Sequence, residues 1–164
     1  MRSAPKPRNS YEALLQYSFR ILSRKSYTRR EIETKLTKRG EKYNLPAFQD
    51  AAKKVMERLT ELNYLNDGAI ITNHLEYRVK VRPQGRYGFL FEMRKRGIDS
   101  KAAAREWDKK AIDERALARE LIAKKSVQLK ELEPRKRAQR ISSHLAGRGF
   151  APDVIWGIVG EWRL

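Results

Sequence analysis

Apolar residues recur at steps of three and four along almost the whole chain, the spacing that places side chains on one side of a helix. One stretch shows this pattern with apolar residues at Phe48, Ala51, Ala52, Val55, Met56, Leu59 and Leu62. Strand signals are weak, because no long alternation of apolar and polar residues occurs. The pattern therefore predicts an all-α fold.

Capping residues and prolines predict where the helices begin. Thr28 and Glu31 have the spacing of a capping box, and Asp67 and Asp99 are expected N-caps. Proline suits the first turn of a helix, where its missing N–H costs nothing. About nine helices follow: Tyr11–Arg24, one from the capping box to Gly40, one opened by Pro46, one from Asp67 to near Pro83, Gln84–Arg96, one capped by Asp99, one beginning near Asp113, Arg135–Gly147 and Pro152–Trp162.

A short pattern returns three times at nearly equal spacing: two apolar residues four apart, then an Arg-Gly pair. The pairs are Arg39-Gly40, Arg96-Gly97 and Arg148-Gly149. An arginine in the last turn suits the negative end of the helix dipole, and glycine suits the left-handed residue that follows a helix. Each pair is therefore predicted to end a helix, and the three copies indicate an internally repeated architecture.

The predicted organisation is three tandem three-helix repeats, at residues 10–66, 67–111 and 112–164, preceded by a flexible basic arm at residues 1–9. Short helices need packing to be stable, and repeats in a row contact mainly their neighbours. We therefore expect an elongated, curved body, a shape suited to lying along a polymer.

Charge narrows the class of partner. The 164 residues include 37 Lys and Arg against 20 Asp and Glu, a net charge of +17 that is spread along the chain. Such a balance favours an anionic partner, either nucleic acid or an acidic protein surface. The chain has no cysteine, no long apolar run and no secretory segment at its start, so we expect a cytoplasmic protein without a membrane partner.

Residues for catalysis are scarce. The two histidines, His74 and His144, each adjoin a leucine, and neither belongs to a carboxylate cluster typical of a metal site. The Gly85–Gly88 stretch lacks the lysine of a phosphate-binding loop, and no nucleophile elbow occurs. We therefore predict a protein that is not an enzyme and that has no catalytic residue, metal or cofactor.

Basic clusters are the candidate binding residues, although solvated surface charge is the alternative interpretation of each. They are Arg29, Arg30 and Lys35 in the first repeat, Arg78, Lys80, Arg82, Arg86, Arg94 and Lys95 in the second, and Arg135, Lys136, Arg137 and Arg140 in the third. Arg78 and Arg82, four apart, are expected to share a helix face. A cation at the start of a helix opposes the dipole, so local stability does not explain the third cluster.

Aromatic residues at helical spacing are predicted to belong to the core, with Tyr87 kept as a contact residue because it follows Arg86 between two glycines. For Arg39, Arg96 and Arg148, helix-end electrostatics is the preferred interpretation.

Four segments occur in a recognisable order: Tyr64-Leu65-Asn66-Asp67, Gly85-Arg86-Tyr87-Gly88-Phe89, Met93-Arg94-Lys95-Arg96-Gly97-Ile98 and Arg148-Gly149-Phe150. Together they resemble the bacterial RecX family, regulators of the RecA recombinase. Two departures from the family pattern affect the surface of the middle repeat: Asn66, just before it, stands where an acidic residue is common, and Phe89-Leu90-Phe91 is unusually aromatic.

The resemblance implies a fold of tandem three-helix repeats and a partner, the RecA filament on DNA. A protein of this family is expected to dock in the filament groove, to block ATP hydrolysis and strand exchange, and to limit filament growth, which modulates recombination and DNA repair. We expect a monomer. The alternative is a helical-repeat nucleic-acid-binding protein that acts directly on single- or double-stranded DNA, with an affinity that falls steeply as salt rises.

Overall fold

The structure, a computed structural model, describes residues 9–162 and confirms the all-α prediction. In that range ten helices occur and no strand does: α1 (Ser10–Leu22), α2 (Arg29–Lys42), α3 (Phe48–Glu61), α4 (Asp67–Lys80), α5 (Arg86–Lys95), α6 (Ser100–Lys109), α7 (Glu114–Ala123), α8 (Ser126–Lys130), α9 (Pro134–Ala146) and α10 (Pro152–Glu161). The count exceeds the prediction because α8 is a separate short helix, anchored by the buried Leu129.

Local signals place most helix starts. The capping box of Thr28 and Glu31 is present, and Asp99 caps α6 as expected. The predicted N-cap of α4 is wrong: Asn66 Oδ1 accepts from the Ala69 amide at 2.8 Å, whereas Asp67 Oδ1 accepts from the Arg29 amide at the start of α2. The capping residue of α4 is thus one position earlier, which frees Asp67 to satisfy a different helix.

The chain forms two compact units. The first unit runs to Ile70 and includes Arg96–Ile98, and the second contains Ile71–Lys95 and the residues from Asp99 onward. The predicted division into three repeats, and the elongated shape, stay predictions. Apart from Asn9, which caps α1, the predicted basic arm lies outside the described residues.

The core of the first unit lies where α1, α2 and α3 pack together. Its fully buried side chains are Leu14, Ile32, Leu36, Val55 and Leu59, the positions at which the three helices face one another. Leu62, predicted to continue the apolar side of α3, lies beyond the end of that helix and is exposed.

The core of the second unit has two centres. In the first, the Phe89 and Trp107 rings lie 5.4 Å apart between α5 and α6. The second lies among α7, α9 and α10, with Ile122, Ile141, Leu145 and Ile158 fully buried. The partly buried Trp162 packs against this second centre.

The glycines of the three Arg-Gly pairs do not have the same backbone conformation. Gly97 and Gly149 are left-handed, with φ of 76° and 69°, as predicted. For Gly40 the prediction is wrong, because α2 continues to Lys42 and Gly40 lies inside it. Its role is steric, since a Cβ there would lie 2.3 Å from the Phe48 ring.

Within the described range, no helix is long and apolar enough to cross a bilayer.

Candidate partner-binding surface

Two of the three Arg-Gly pairs dock on the start of an earlier helix. The first Arg-Gly junction, in the first unit, consists of Thr28, Glu31, Arg96 and Gly97. Thr28 Oγ1 donates to the Arg96 carbonyl at 2.7 Å, and the Arg96 guanidinium donates to both Glu31 oxygens, at 2.9 and 3.0 Å. Arg96 therefore joins the capping box of α2, a role more specific than balancing a helix dipole.

Glu31 is ionised in this junction. Burial acts to raise its pKa, but the hydrogen bonds from Arg96 and from the Thr28 amide outweigh burial, so the pKa lies below its ordinary value. The junction is thus held by a charged carboxylate at neutral pH.

The second Arg-Gly junction, in the second unit, consists of Pro83, Gly85, Gly88, Arg148 and Gly149. Its hydrogen bonds run from the Gly85 amide to the Arg148 carbonyl at 3.0 Å and from the Gly88 amide to the Gly149 carbonyl at 3.2 Å. Arg148 Nη1 adds a bond to the Pro83 carbonyl at 3.0 Å. The Gly85–Gly88 stretch is therefore a docking site for α9's end, and its glycines allow two backbones to touch.

Arg78 is committed to an internal ion pair. Its guanidinium lies 2.6 Å and 3.0 Å from the two oxygens of Glu92, which also bonds to His74 at 2.7 Å. Burial acts to raise the pKa of Glu92, but the bonds from His74 and Arg78 outweigh it and the pKa is lowered. The prediction that Arg78 and Arg82 share a helix face is wrong, because α4 ends at Lys80 and Arg82 lies beyond it.

Several other candidate cations have internal partners as well. Arg137 donates to the carbonyls of Trp162 and Leu132, both at 3.1 Å. Arg86 pairs with Asp108 at 3.2 Å, although its side chain stays 35% exposed. These contacts use the guanidinium groups in holding the fold together.

The remaining candidates stay exposed. Arg29 is exposed but donates to Thr60 Oγ1 at 3.0 Å, and Arg30 lies 3.9 Å from Glu33 with 71% of its side chain exposed. Among the described residues, the exposed candidates with no hydrogen bond or ion pair from their side chains are Lys80, Arg82, Arg94, Lys95, Arg135, Lys136 and Arg140. The structure thus divides the sequence-derived set into committed and available cations.

Available cations and exposed aromatic rings share one side of α5. Tyr87, Phe91, Arg94 and Lys95 follow the i, i+4, i+7, i+8 spacing of a helix face, and we call them the α5 outer face. Tyr87 and Phe91 are 61% and 48% exposed, and the charged groups of Arg94 and Lys95 lie 5.5 and 4.7 Å from the Phe91 ring centre. The expectation that Phe91 belongs to the core is wrong, because Phe89 and Met93 occupy the buried side.

Trp156, also expected in the core, is exposed on α10, whereas Trp107 and Phe150 are buried as predicted. Neither histidine belongs to a metal site: no group of three or more His, Asp or Glu side chains among residues 9–162 is placed to hold an ion. Burial lowers the pKa of His144, and Lys125, Arg148 and Arg140 lower it further, so His144 is neutral at pH 7.

One cluster was predicted only in part: Lys35 was a candidate binding residue and Arg39 was interpreted as a helix-end cation, but their tyrosine partners were not predicted. Lys35, Arg39 and Lys42 lie on one side of α2, and each lies over a tyrosine ring: Tyr27, Tyr17 or Tyr43. The i, i+4, i+7 spacing of the cations was readable from the sequence. The tyrosines were not, because Tyr17 and Tyr27 come from outside α2.

Comparison with known proteins identifies the family. A family model described as the third three-helix domain of RecX matches residues 113–159. The regulatory protein RecX of Prosthecochloris aestuarii is 30% identical over 135 residues, which cover 80% of this chain and 81% of the relative. That of Deinococcus radiodurans is 32% identical over 168 residues, covering 96% of this chain and 72% of the relative.

A solved structure has the same fold. The crystal structure of RecX from Lactobacillus salivarius superposes with a TM-score of 0.71 at 22% identity and covers 93% of this chain and 94% of its own. The resemblance found in the sequence is thereby confirmed, and the chain is a regulatory protein and not an enzyme. With this identity over most of both chains and the same arrangement of helices, the chain belongs to the RecX family of regulatory proteins.

Proposed function

We propose that this protein binds the RecA filament on DNA and inhibits RecA ATPase activity, strand exchange and filament growth, thereby modulating recombination and DNA repair. The α5 outer face is the main contact in the second unit, supported by Lys80, Arg82 and Arg86. Further contacts come from the exposed candidates on α2 and α9, which are Arg29, Arg30, Arg135, Lys136 and Arg140.

The observation that carries this proposal is the exposure of Tyr87, Phe91, Arg94 and Lys95 on one helix face. A folded chain normally buries a phenylalanine, and the largest binding contributions at protein interfaces come from aromatic residues and arginine. In the described part of the chain, no carboxylate lies within ion-pair distance of Arg94 or Lys95. Their charges are therefore available to an acidic partner.

Charge also explains how such a protein reaches a filament. A net charge of +17 raises the rate of encounter with an anionic assembly, because long-range attraction orients the approach. The aromatic rings then supply the short-range contact that charge alone does not give. We therefore assign steering to the spread of cations and affinity to the α5 outer face.

A paired charge-reversal experiment tests this assignment. Arg94→Glu with Lys95→Glu is compared with Lys101→Glu and Arg105→Glu, which lie on α6 in the same unit, are exposed and change the net charge by the same amount. We expect the first variant to lose inhibition of the RecA ATPase on single-stranded DNA by tenfold or more, and the control to keep most of it. Helical circular dichroism of both variants checks that they fold. Equal loss in both would show that net charge, not the α5 outer face, is responsible.

A direct DNA-binding function is the second candidate, because exposed Tyr87 and Phe91 beside cations also suit base stacking. The two functions separate in one measurement: affinity for bare DNA and for RecA-coated DNA at the same moderate salt. We expect the coated DNA to bind at least tenfold more tightly. Equal affinities would favour the DNA-binding alternative.

A further inference from the structure

The first unit carries a second, different arrangement of cations and rings. We call Lys35, Arg39 and Lys42 with Tyr17, Tyr27 and Tyr43 the α2 stripe. The Arg39 guanidinium lies 4.5 Å from the Tyr17 ring centre and 4.6 Å from that of Tyr43. Lys35 lies 5.0 Å from the Tyr27 ring centre, and Lys42 lies 5.6 Å from that of Tyr43. Arg20 and Lys25 add cations beside the Tyr17 and Tyr27 rings.

Arg39 is unusual among the three Arg-Gly arginines. Arg96 donates to Glu31 in the first junction, and Arg148 donates to the Pro83 carbonyl in the second. In the described part of the chain, the Arg39 side chain makes no hydrogen bond and no ion pair. Two aromatic contacts hold the guanidinium while its donor edge stays unused, and a held guanidinium loses little freedom when it binds an anion.

We propose that the α2 stripe is a binding site for single-stranded DNA, in which Arg39 donates to a phosphate and Tyr43 stacks on a base. Alternating cations and aromatic rings are the arrangement by which proteins hold single strands without reading sequence. Lys35 and Arg39 lie one helical turn apart, so they contact separate phosphates along the strand.

An acidic protein segment is the other partner that cations attract, but the stripe fits it less well. A carboxylate uses the guanidinium alone, whereas a nucleotide also uses the 53% exposed Tyr43 ring, because its base can stack on it. The planar fork of Arg39 matches a phosphate and a carboxylate equally well in two-point contact, so the choice between them rests on the rings. The site therefore commits to nucleic acid, independently of any contact between the protein and RecA.

Binding of a fluorescent oligothymidylate to the full chain, without RecA, tests the proposal. Lys35→Gln with Arg39→Gln and Lys42→Gln is compared with Lys38→Gln, Lys53→Gln and Lys54→Gln, three exposed lysines of the same unit. We expect the first variant to bind at least tenfold more weakly. Its slope of log affinity against log salt should fall by about 2, at about 0.7 for each lost phosphate contact. Similar losses in both variants would overturn the proposal.

Two variants that keep the net charge sharpen the test. Arg39→Lys removes the planar fork and Tyr43→Leu removes the ring, and we expect each to weaken oligothymidylate binding at least fivefold. Unchanged affinity in both variants would show that the α2 stripe attracts DNA only through its net charge, and would refute the proposal. If both variants instead weaken only the binding to RecA-coated DNA, the stripe is a protein contact and the proposal is wrong. Because the oligothymidylate assay contains no RecA, its failure leaves the filament function untouched.

Discussion

The two Arg-Gly junctions have the same sequence signature and different chemistry. In the first, Thr28 and Arg96 act through side chains, and a carboxylate is the central acceptor. In the second, the Gly85 and Gly88 amides donate directly to the carbonyls of Arg148 and Gly149, so two backbones meet without side chains between them. One motif therefore fixes the chain twice, once by charge and once by close approach.

The difference predicts how each junction fails. A side-chain junction loses one hydrogen bond at a time, and neighbouring groups or water replace part of the loss. A backbone junction depends on the close approach of its two chain segments, because a single added methyl group would push them apart. We therefore expect the second junction to be the more sensitive to small substitutions and the first to be the more sensitive to pH.

The largest effect is expected from Gly149→Ala. An alanine Cβ would lie 2.1 Å from the Gly88 amide nitrogen, and the φ of 69° disfavours any side chain. We expect the free energy of unfolding of the second unit to fall by about 3 kcal/mol or more. The three tryptophans, Trp107, Trp156 and Trp162, all lie in this unit, so tryptophan fluorescence in a denaturant titration reports it.

Gly160→Ala is the matched control. Gly160 lies in α10 of the same unit, and a Cβ there would meet no atom within 4 Å. Alanine favours a helix over glycine, so this variant should gain up to about 1 kcal/mol. A loss at Gly160 comparable with that at Gly149 would show that the close approach is not the cause.

Local sequence signals predicted the left-handed Gly97 and Gly149 and the capping box of α2, because each depends on residues within one turn. Partners distant in sequence were not predictable. Arg78 finds Glu92 fourteen residues away, and Arg96 finds Glu31 sixty-five residues away. Gly40 shows the limit of a motif: it matches the Arg-Gly pattern, but the Phe48 ring packed on it sets its role.

The candidate surface could be predicted only in part. Phe91 was expected in the core, but its exposure could have been inferred from the sequence. It lies two residues from Phe89 and therefore on the opposite side of a helix. The sequence could not show that Arg78 and Arg137 use their guanidinium groups inside the protein. Their hydrogen bonds to Glu92 and to main-chain carbonyls depend on the folded arrangement. Charge composition therefore identifies the class of partner, whereas the fold decides which cations are available.

A double-mutant cycle on Arg96 and Glu31 should give the next largest effect. Arg96→Gln and Glu31→Gln each remove the ion pair, and both groups are about three-quarters buried. We expect each variant to lose about 1–2 kcal/mol of unfolding free energy, with a coupling of about 1 kcal/mol in the double variant. Denaturant titrations of all four proteins, followed by circular dichroism, measure these unfolding free energies and give the coupling.

The exposed pair of Arg58 and Glu61 on α3 is the matched control for this cycle, because it joins the same residue types in solvent. Its coupling should be a few tenths of a kcal/mol, roughly 0.3. Equal couplings in the two cycles would mean that the first junction is an ordinary surface ion pair.

A smaller, pH-dependent effect separates the two junctions. Glu31 has a lowered pKa in the folded state and about 4.3 when unfolded, so its contribution is complete above about pH 5. That contribution is lost as pH falls below about 4.3 and through the folded pKa. The difference in unfolding free energy between the protein and Glu31→Gln should therefore shrink over this range.

The hydrogen bonds of the second junction themselves involve no carboxylate. Its unit does contain acid-sensitive carboxylates, because Glu114 Oε1 accepts from the neighbouring Arg86 amide at 2.9 Å and Glu92 pairs with Arg78, so the comparison must be local. Hydrogen exchange of the Gly85 and Gly88 amides reports the second junction directly, because both are donors in it. We expect their protection relative to global unfolding to stay constant, while the Thr28 amide, which donates to Glu31 Oε2 at 2.8 Å, loses protection in acid. Equal loss at both sites would contradict the division into a charged and a backbone junction.

The smallest effect on stability is expected at the third Arg-Gly pair. Arg39 enters neither junction, and its guanidinium lies against the Tyr17 and Tyr43 rings. Arg39 is only partly buried, so Arg39→Gln should lower the unfolding free energy by about 0.5–1 kcal/mol, the range for cation–aromatic contacts near the surface. A loss as large as that of Arg96→Gln would place Arg39 in the packing of the first unit. The predicted small loss would instead show that Arg39, unlike the other two Arg-Gly arginines, contributes little to stability. Its guanidinium is then available for an anionic ligand.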